Sequence, residues 1–195
     1  DNKLIVQISY TSKPRIKGEY FGIGGGAQNN QIMGMAFGPV DSMKIEETRK
    51  SLMAFLSHEM AHIWVKSLGN DDMRWYNEGN AEILSHIGMM HLGFLSEKDF
   101  NIFLNKYLTE SINDLAKESL ELPHQKGLER LNYSGGSIVL WTICKAIART
   151  NQTNDIYSLN QELHKFSQDS LSRFPKECLS ATLASLGMND DEILA

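Results

Sequence analysis

Two rhythms divide this chain. Near its start, Leu4, Val6 and Ile8 alternate with Ile5, Gln7 and Ser9, the period-two pattern that predicts a strand. Pro14, Lys17 and Gly18 mark a turn, and a second strand is expected from Glu19 to Ile23. Gly24-Gly25-Gly26 follows, then a third extended run from Gln31 to Phe37, closed by Gly38-Pro39. From Met43 onward the apolar positions recur at helical spacing. A first helix over about Lys44 to Leu68 sets Ile45, Leu52, Phe55, Leu56, Met60, Ile63 and Trp64 near one face, with Asp41 or Ser42 as cap and Gly69 as stop. After the Asn70-Asp71-Asp72 turn, a second helix capped by Asp71 or Asp72 runs to about His91, and Gly93 breaks it.

Ser96 with Asp99 resembles a capping box for a helix over roughly Glu97 to Glu118. A polar loop with Pro123, His124 and Gly127 comes next, and helix-like runs resume at about Ser134–Arg149, Asp155–Phe166 and Pro175–Leu186. The tail MNDDEILA is polar, and no repeat or linker interrupts the pattern. The expectation is a single α+β domain over 1–195, β-rich over 1–40 and helical over 41–195. Met33, Met35, Met43, Met53, Met60, Met89 and Met90 are expected to fill the core. His86 and His91 are expected at the surface, and Cys144, in an apolar helix, as a buried thiol that Cys178 can meet only if the helices bring the two together.

Composition narrows the classes. At 195 residues with 42% hydrophobic and 22% charged residues, the chain can bury a core without staples. A net charge of -5 argues against a general nucleic-acid binder, and no apolar run is long enough to span a membrane. Two cysteines do not make a disulfide framework. The chain starts at Asp1 rather than a methionine, which leans the reading toward a processed, secreted or periplasmic product.

One segment carries chemistry. In His58-Glu59-Met60-Ala61-His62, inside the first long helix, the two histidines lie four apart and share a face. That spacing supplies two zinc ligands, with Glu59 beside them as a base for a water molecule. A catalytic zinc needs a third protein ligand. Glu78 and Glu82, one turn apart in Trp75-Tyr76-Asn77-Glu78-Gly79-Asn80-Ala81-Glu82, are both candidates; one can bind the ion while the other orients a ligand histidine.

HEMAH followed by WYNEG resembles the gluzincin metallopeptidases, most of all their HExxH…NEG aminopeptidase branch. The resemblance implies a zincin, thermolysin-like catalytic domain in which a small N-terminal sheet precedes a mostly helical half. It makes His58, His62 and Glu78 the ligands of one Zn2+, Glu59 the general base, and Glu82 an acidic residue behind the ligands. The fifteen residues between His62 and Glu78 are fewer than in that branch, and Glu82, nineteen on, fits the thermolysin spacing, so Glu82 remains open as the direct ligand. Asn132-Tyr133-Ser134-Gly135-Gly136 is similar to the family's Tyr-x-x-Gly segment, which implies that Tyr133 stabilises the oxyanion; a phenol is a suitable neutral donor. His124 is a fallback for that role.

Gly25-Gly26-Ala27-Gln28-Asn29-Asn30 falls where the family carries a substrate-pairing Gly-Ala-Met-Glu-Asn strand. The Glu that holds a free α-amine there is matched by Asn29, which cannot supply its charge. The implied function is a zinc-dependent peptidase that cleaves peptides or proteins through a metal-activated water, aminopeptidase-like with exopeptidase specificity open. The alternatives are a gluzincin-like domain that binds a protein partner without turnover, and a hydrolase of non-peptide amides or one narrow target. A chain of this length has room for the catalytic core of such enzymes and not for the domains that select chain ends.

Overall fold

A computed structural model describes residues 3–14, 21–40, 44–65, 73–115, 128–150, 155–169 and 176–188. Among them are three strands, β1 (Ile5–Thr11), β2 (Gly22–Gln28) and β3 (Gln31–Phe37), and six helices: α1 (Ile45–Trp64), α2 (Arg74–His91), α3 (Glu97–Leu115), α4 (Arg130–Thr150), α5 (Ile156–Asp169) and α6 (Lys176–Ser185). The class is α+β and mostly helical. The chain divides into two compact units, one of Asp1–Lys66 with Leu84–Phe100 and one of Ser67–Ile83 with Asn101–Ala195. No helix of the described residues is long and apolar enough to cross a membrane.

In the first unit the sheet order is β1-β3-β2, with β1 parallel and β2 antiparallel to the central β3. The second strand lies later than the pattern suggested. Its glycines do not separate two strands; they form the body of β2, pairing Gly24, Gly25 and Gly26 with Met35, Gly34 and Met33. Asn29 and Asn30 make the β2–β3 turn with φ of 49° and 61°. Two consecutive left-handed residues are the type I′ geometry whose twist suits a two-residue hairpin, and asparagine tolerates it best after glycine. Residues 15–20, where the second strand was expected to begin, lie outside the described residues, as do Asp41, Ser42 and Gly69.

Helix α1 lies against β2, and Phe55 packs over Gly34, where an added Cβ would stand 3.0 Å from the ring. Strand alternation then decides which residues of β3 are covered: Ile32 and Ala36 are buried, whereas Met33 and Met35 point the other way and are 55% and 56% exposed. The expectation that these two methionines fill the core is therefore wrong; Met89 does. Ile45 and Trp64, at the two ends of α1, are also exposed. The helix starts without a side-chain cap, its N-cap position taken by Lys44, but Glu46 and Glu47 in its first turn suit the helix dipole.

The capping box is real. Ser96 Oγ accepts from the Asp99 N–H at 3.2 Å, and Asp99 Oδ2 accepts from the Ser96 N–H at 2.9 Å. Before it, α2 ends at Gly93 (φ 75°), where the Phe94 and Gly93 N–H groups reach back to the Met89 and Met90 carbonyls, a Schellman closure that favours glycine.

In the second unit Tyr76, Ile83, Leu140, Ile147, Leu159 and Leu163 form a core with less than 2% exposure. Helix α4 begins at Arg130, four residues before the expected start, so Tyr133 belongs to its first turn. Asp155 Oδ1 caps α5 by accepting from the Tyr157 and Ser158 N–H groups, each at 3.0 Å. Both cysteines are free thiols, Cys144 buried as expected.

Candidate metal centre

The site begins with α1. Four residues apart on one helix, His58 and His62 bring their Nε2 atoms to 3.1 Å of each other. Two imidazoles on a tetrahedral zinc, each bound at about 2.0–2.1 Å, would hold their nitrogens about 3.3 Å apart, so this pair is already spaced for one ion. Glu59, between them in sequence, is buried in the same helix.

Glu78 completes the donor set. One ligand atom each from His58, His62 and Glu78 all lie within 4.8 Å of one another, and among the described residues this is the one such group of His, Cys, Asp or Glu. Two imidazoles and a carboxylate are the ligand chemistry of a catalytic zinc that keeps an open position. The cluster can hold a metal ion, and it contains Glu78 rather than Glu82.

The crossing of α2 and α4 sets Glu78 beside Tyr133. Gly79 and Gly136 let the two backbones touch. A Cβ on Gly79 would stand 2.4 Å from the Gly136 carbonyl carbon, and one on Gly136 would stand 2.1 Å from the Trp75 carbonyl oxygen. Ser137 Oγ donates to the Tyr133 carbonyl at 2.7 Å and reaches the Gly79 carbonyl at 3.4 Å. Glu78 precedes one contact glycine and Tyr133 lies one turn before the other, so the crossing brings carboxylate and phenol together. The Tyr133 hydroxyl is in hydrogen-bonding range of Glu78, to which it donates, and of the Arg74 guanidinium, from which it accepts. Burial first, then the Glu78 charge, pushes the phenol up to about 12 against the pull of Arg74. Tyr133 is thus a proton-bearing donor at neutral pH.

The rear of α2 is fixed by a buried polar triad. Asn160 Oδ1 accepts from Tyr76 Oη at 2.5 Å and from Asn80 Nδ2 at 2.7 Å, while Asn160 Nδ2 donates to Asn80 Oδ1 at 3.1 Å and the Ile156 carbonyl at 2.9 Å. Every polar atom of the two amides is in use or one bond short of it, which rigidifies the helix that carries Glu78. Burial drives the Tyr76 phenol far above its ordinary range.

Glu82, one turn after Glu78, faces α3 and the start of α4. The Tyr107 hydroxyl is in hydrogen-bonding range of it, and Arg130 lies close enough to feel its charge. Arg130 donates to Tyr107 Oη at 3.3 Å and Glu110 Oε2 at 3.4 Å, and its guanidinium lies 5.1 Å over the Tyr107 ring and 5.9 Å over the Tyr133 ring.

Of the expected substrate-pairing residues, Gly25, Gly26, Ala27 and Gln28 lie on β2, at the edge of the sheet, and Asn29 sits in the turn. Gly25 has an internal reason to be glycine, since a Cβ there would come within 1.9 Å of the Met33 carbonyl oxygen; nothing stands within 4 Å of the same point on Gly24 or Gly26. His124 lies outside the described residues. His91 is exposed as expected, but His86 is half-buried, its Nδ1 3.3 Å from Ser85 Oγ and its ring 6.4 Å from that of Phe100. The sequence reading missed Arg74 and Arg130. Only Arg74 carried a signal, as a cation in the first turn of a helix with no acidic residue there.

Comparison with protein-family models and with curated proteins found no match to this chain.

Proposed function

We propose that this chain is a zinc-dependent peptidase with a gluzincin-like catalytic core, in which His58, His62 and Glu78 hold one zinc ion. The observation that carries the reading is the convergence of two imidazole nitrogens and one carboxylate on a common point, with a protonated phenol beside that carboxylate. When bound, zinc supplies Lewis acidity that polarises a carbonyl and makes water a nucleophile near neutral pH. Glu59 takes the proton of the attacking water and passes it to the leaving amine. Tyr133 donates its hydroxyl hydrogen bond to the oxygen that gains negative charge as the carbonyl becomes tetrahedral. The β2 edge, with open space over Gly24 and Gly26, offers backbone groups to an extended peptide.

The test is elemental analysis of the purified protein followed by a chelator-sensitive assay on a broad peptide library, with Glu59→Gln beside the wild type. The proposal predicts stoichiometric zinc, cleavage abolished by chelation, and a Glu59→Gln protein that keeps zinc but loses nearly all hydrolysis. Cleavage unchanged in Glu59→Gln removes Glu59 as the base. Zinc without cleavage of any peptide defeats the peptidase reading in favour of a partner-binding domain. Products shortened by single N-terminal residues identify an aminopeptidase; internal cuts identify an endopeptidase.

A further inference from the structure

Arg74 sits where helix electrostatics disfavour a cation. It opens α2, where a cation meets the positive end of the helix dipole, and no acidic residue in that first turn offsets it. Its ion pair with Glu78 is long, 3.9 Å, and has the weaker order along a helix, the cation preceding the anion by four residues. The Arg74 side chain is 42% exposed, against 16% for Glu78. The other guanidinium near Tyr133, Arg130, is engaged by Glu110, Tyr107 and Glu82.

The balance around Arg74 changes once Glu78 acts as a ligand. A carboxylate bound to zinc gives much of its charge to the ion. The remaining neighbour of Arg74 in this group is then the Tyr133 phenol, a neutral group. An arginine fork left with a neutral partner, partly open to solvent and beside the oxyanion donor, is a carboxylate receptor.

We infer that Arg74 determines specificity by binding a carboxylate of the substrate close to the scissile bond. The inference rests on the peptidase reading above and names its substrate class: peptides with an acidic side chain next to the cleaved bond, or with their free C-terminus next to it. Either source presents the same planar anion, and Arg74 engages it with charge-assisted hydrogen bonds in the bound state.

The experiment has a kinetic and a binding arm. In the first, kcat/KM of the zinc-loaded protein is measured on matched peptides: Asp or Glu beside the cleaved bond with an amidated C-terminus, Asn or Gln in the same place, and neutral peptides whose free or amidated C-terminus adjoins the bond. A preference of about tenfold or more is expected for one of the two carboxylate sources. Arg74→Gln should bring that ratio toward one, Arg74→Lys should keep part of it, and Arg74→Glu should invert it in favour of Lys-bearing peptides. Thermal unfolding of each variant establishes that it is folded.

In the second arm, calorimetry measures binding of the same peptides to zinc-loaded Glu59→Gln protein, with and without Arg74→Gln. Cleavage with no carboxylate preference, or a preference that survives Arg74→Gln, overturns the role of Arg74 and leaves the peptidase reading standing. Carboxylate-selective binding that depends on Arg74, without cleavage in the wild type, supports the receptor and defeats the peptidase reading. Neither cleavage nor selective binding overturns both.

Discussion

Replacing Gly136 with alanine tests the crossing that positions the site. Taken as an isolated helix substitution, Gly→Ala should stabilise by roughly 0.5–1 kcal/mol, because glycine loses more backbone entropy on folding. Here the new methyl carbon would stand 2.1 Å from the Trp75 carbonyl oxygen and 3.3 Å from the Gly79 Cα. The first contact is inside van der Waals distance by more than ~1 Å, and its partner is backbone of a packed helix rather than the tip of a flexible side chain. The helices must separate or tilt, and overpacking of this kind costs about 1–3 kcal/mol or more. The net expectation is a loss of about 1–2 kcal/mol, or a fall in Tm of roughly 2–8 °C for a chain of this size. The internal control is Gly88→Ala, likewise inside a helix (α2), where nothing stands within 4 Å of the added carbon; its Tm should rise by a degree or more, in line with ~0.5–1 kcal/mol. Calorimetric or fluorescence melting of the three proteins, metal-free and zinc-loaded, is the assay. Gly136→Ala as stable as the wild type would refute the close crossing, and with it the account of how Tyr133 meets Glu78. The same displacement should cost about 100-fold in turnover, the usual consequence of moving a reacting group by about 1 Å.

Other outcomes follow from the same geometry. Tyr133→Phe removes the donor and keeps the ring, so kcat should fall by about 10²–10³ with little change in KM; a change in KM alone would make Tyr133 a pocket wall. Asn160→Leu leaves the Tyr76 hydroxyl and the Asn80 amide without their buried partner and should destabilise by about 3 kcal/mol or more, measured by urea denaturation. Burial pushes the Cys144 thiol up to about 12, with Asp155 adding to it. Because the folded value is raised, its contribution to stability is intact below the unfolded pKa of about 8.5 and is lost as pH rises from there toward 12. Labelling with a thiol reagent at pH 8 should therefore spare Cys144 in the native protein and reach it only after denaturation.

How much of this could be read from the residues differs by element. The HEMAH helix announced itself because two histidines four apart are meaningful on any α-helix, whatever packs around it; the 3.1 Å between their nitrogens is local geometry. Ser96 and Asp99, Asp155 and Gly93 act within a few residues of themselves, and each was found at or near its expected boundary. The glycine strand was harder. Gly24, Gly25 and Gly26 have no side chains to alternate, so the register that makes β2 a strand is held by pairing with β3 and leaves no trace in hydropathy. Met33 and Met35 follow the alternation of β3 faithfully, but alternation does not say which face a helix will cover; Gly34 under Phe55 decides that. Glu78 was the ligand that the Asn-Glu-Gly context favoured, and the cluster contains it; the Gly79–Gly136 contact that sets Tyr133 beside it joins residues far apart in sequence. Arg74 was overlooked although Glu78 lies four residues on in the same helix; its meeting with Tyr133, from α4, is the part that only tertiary structure supplies.

The central claim is that three named side chains make one metal site. Calorimetric titration of zinc into the metal-free wild type, and into Glu78→Gln beside Glu82→Gln, tests it most directly. The account predicts one ion per chain and a large loss of affinity in Glu78→Gln. Glu82→Gln should lose less. Binding that is not stoichiometric, or that Glu78→Gln leaves intact while Glu82→Gln abolishes it, would contradict the site described.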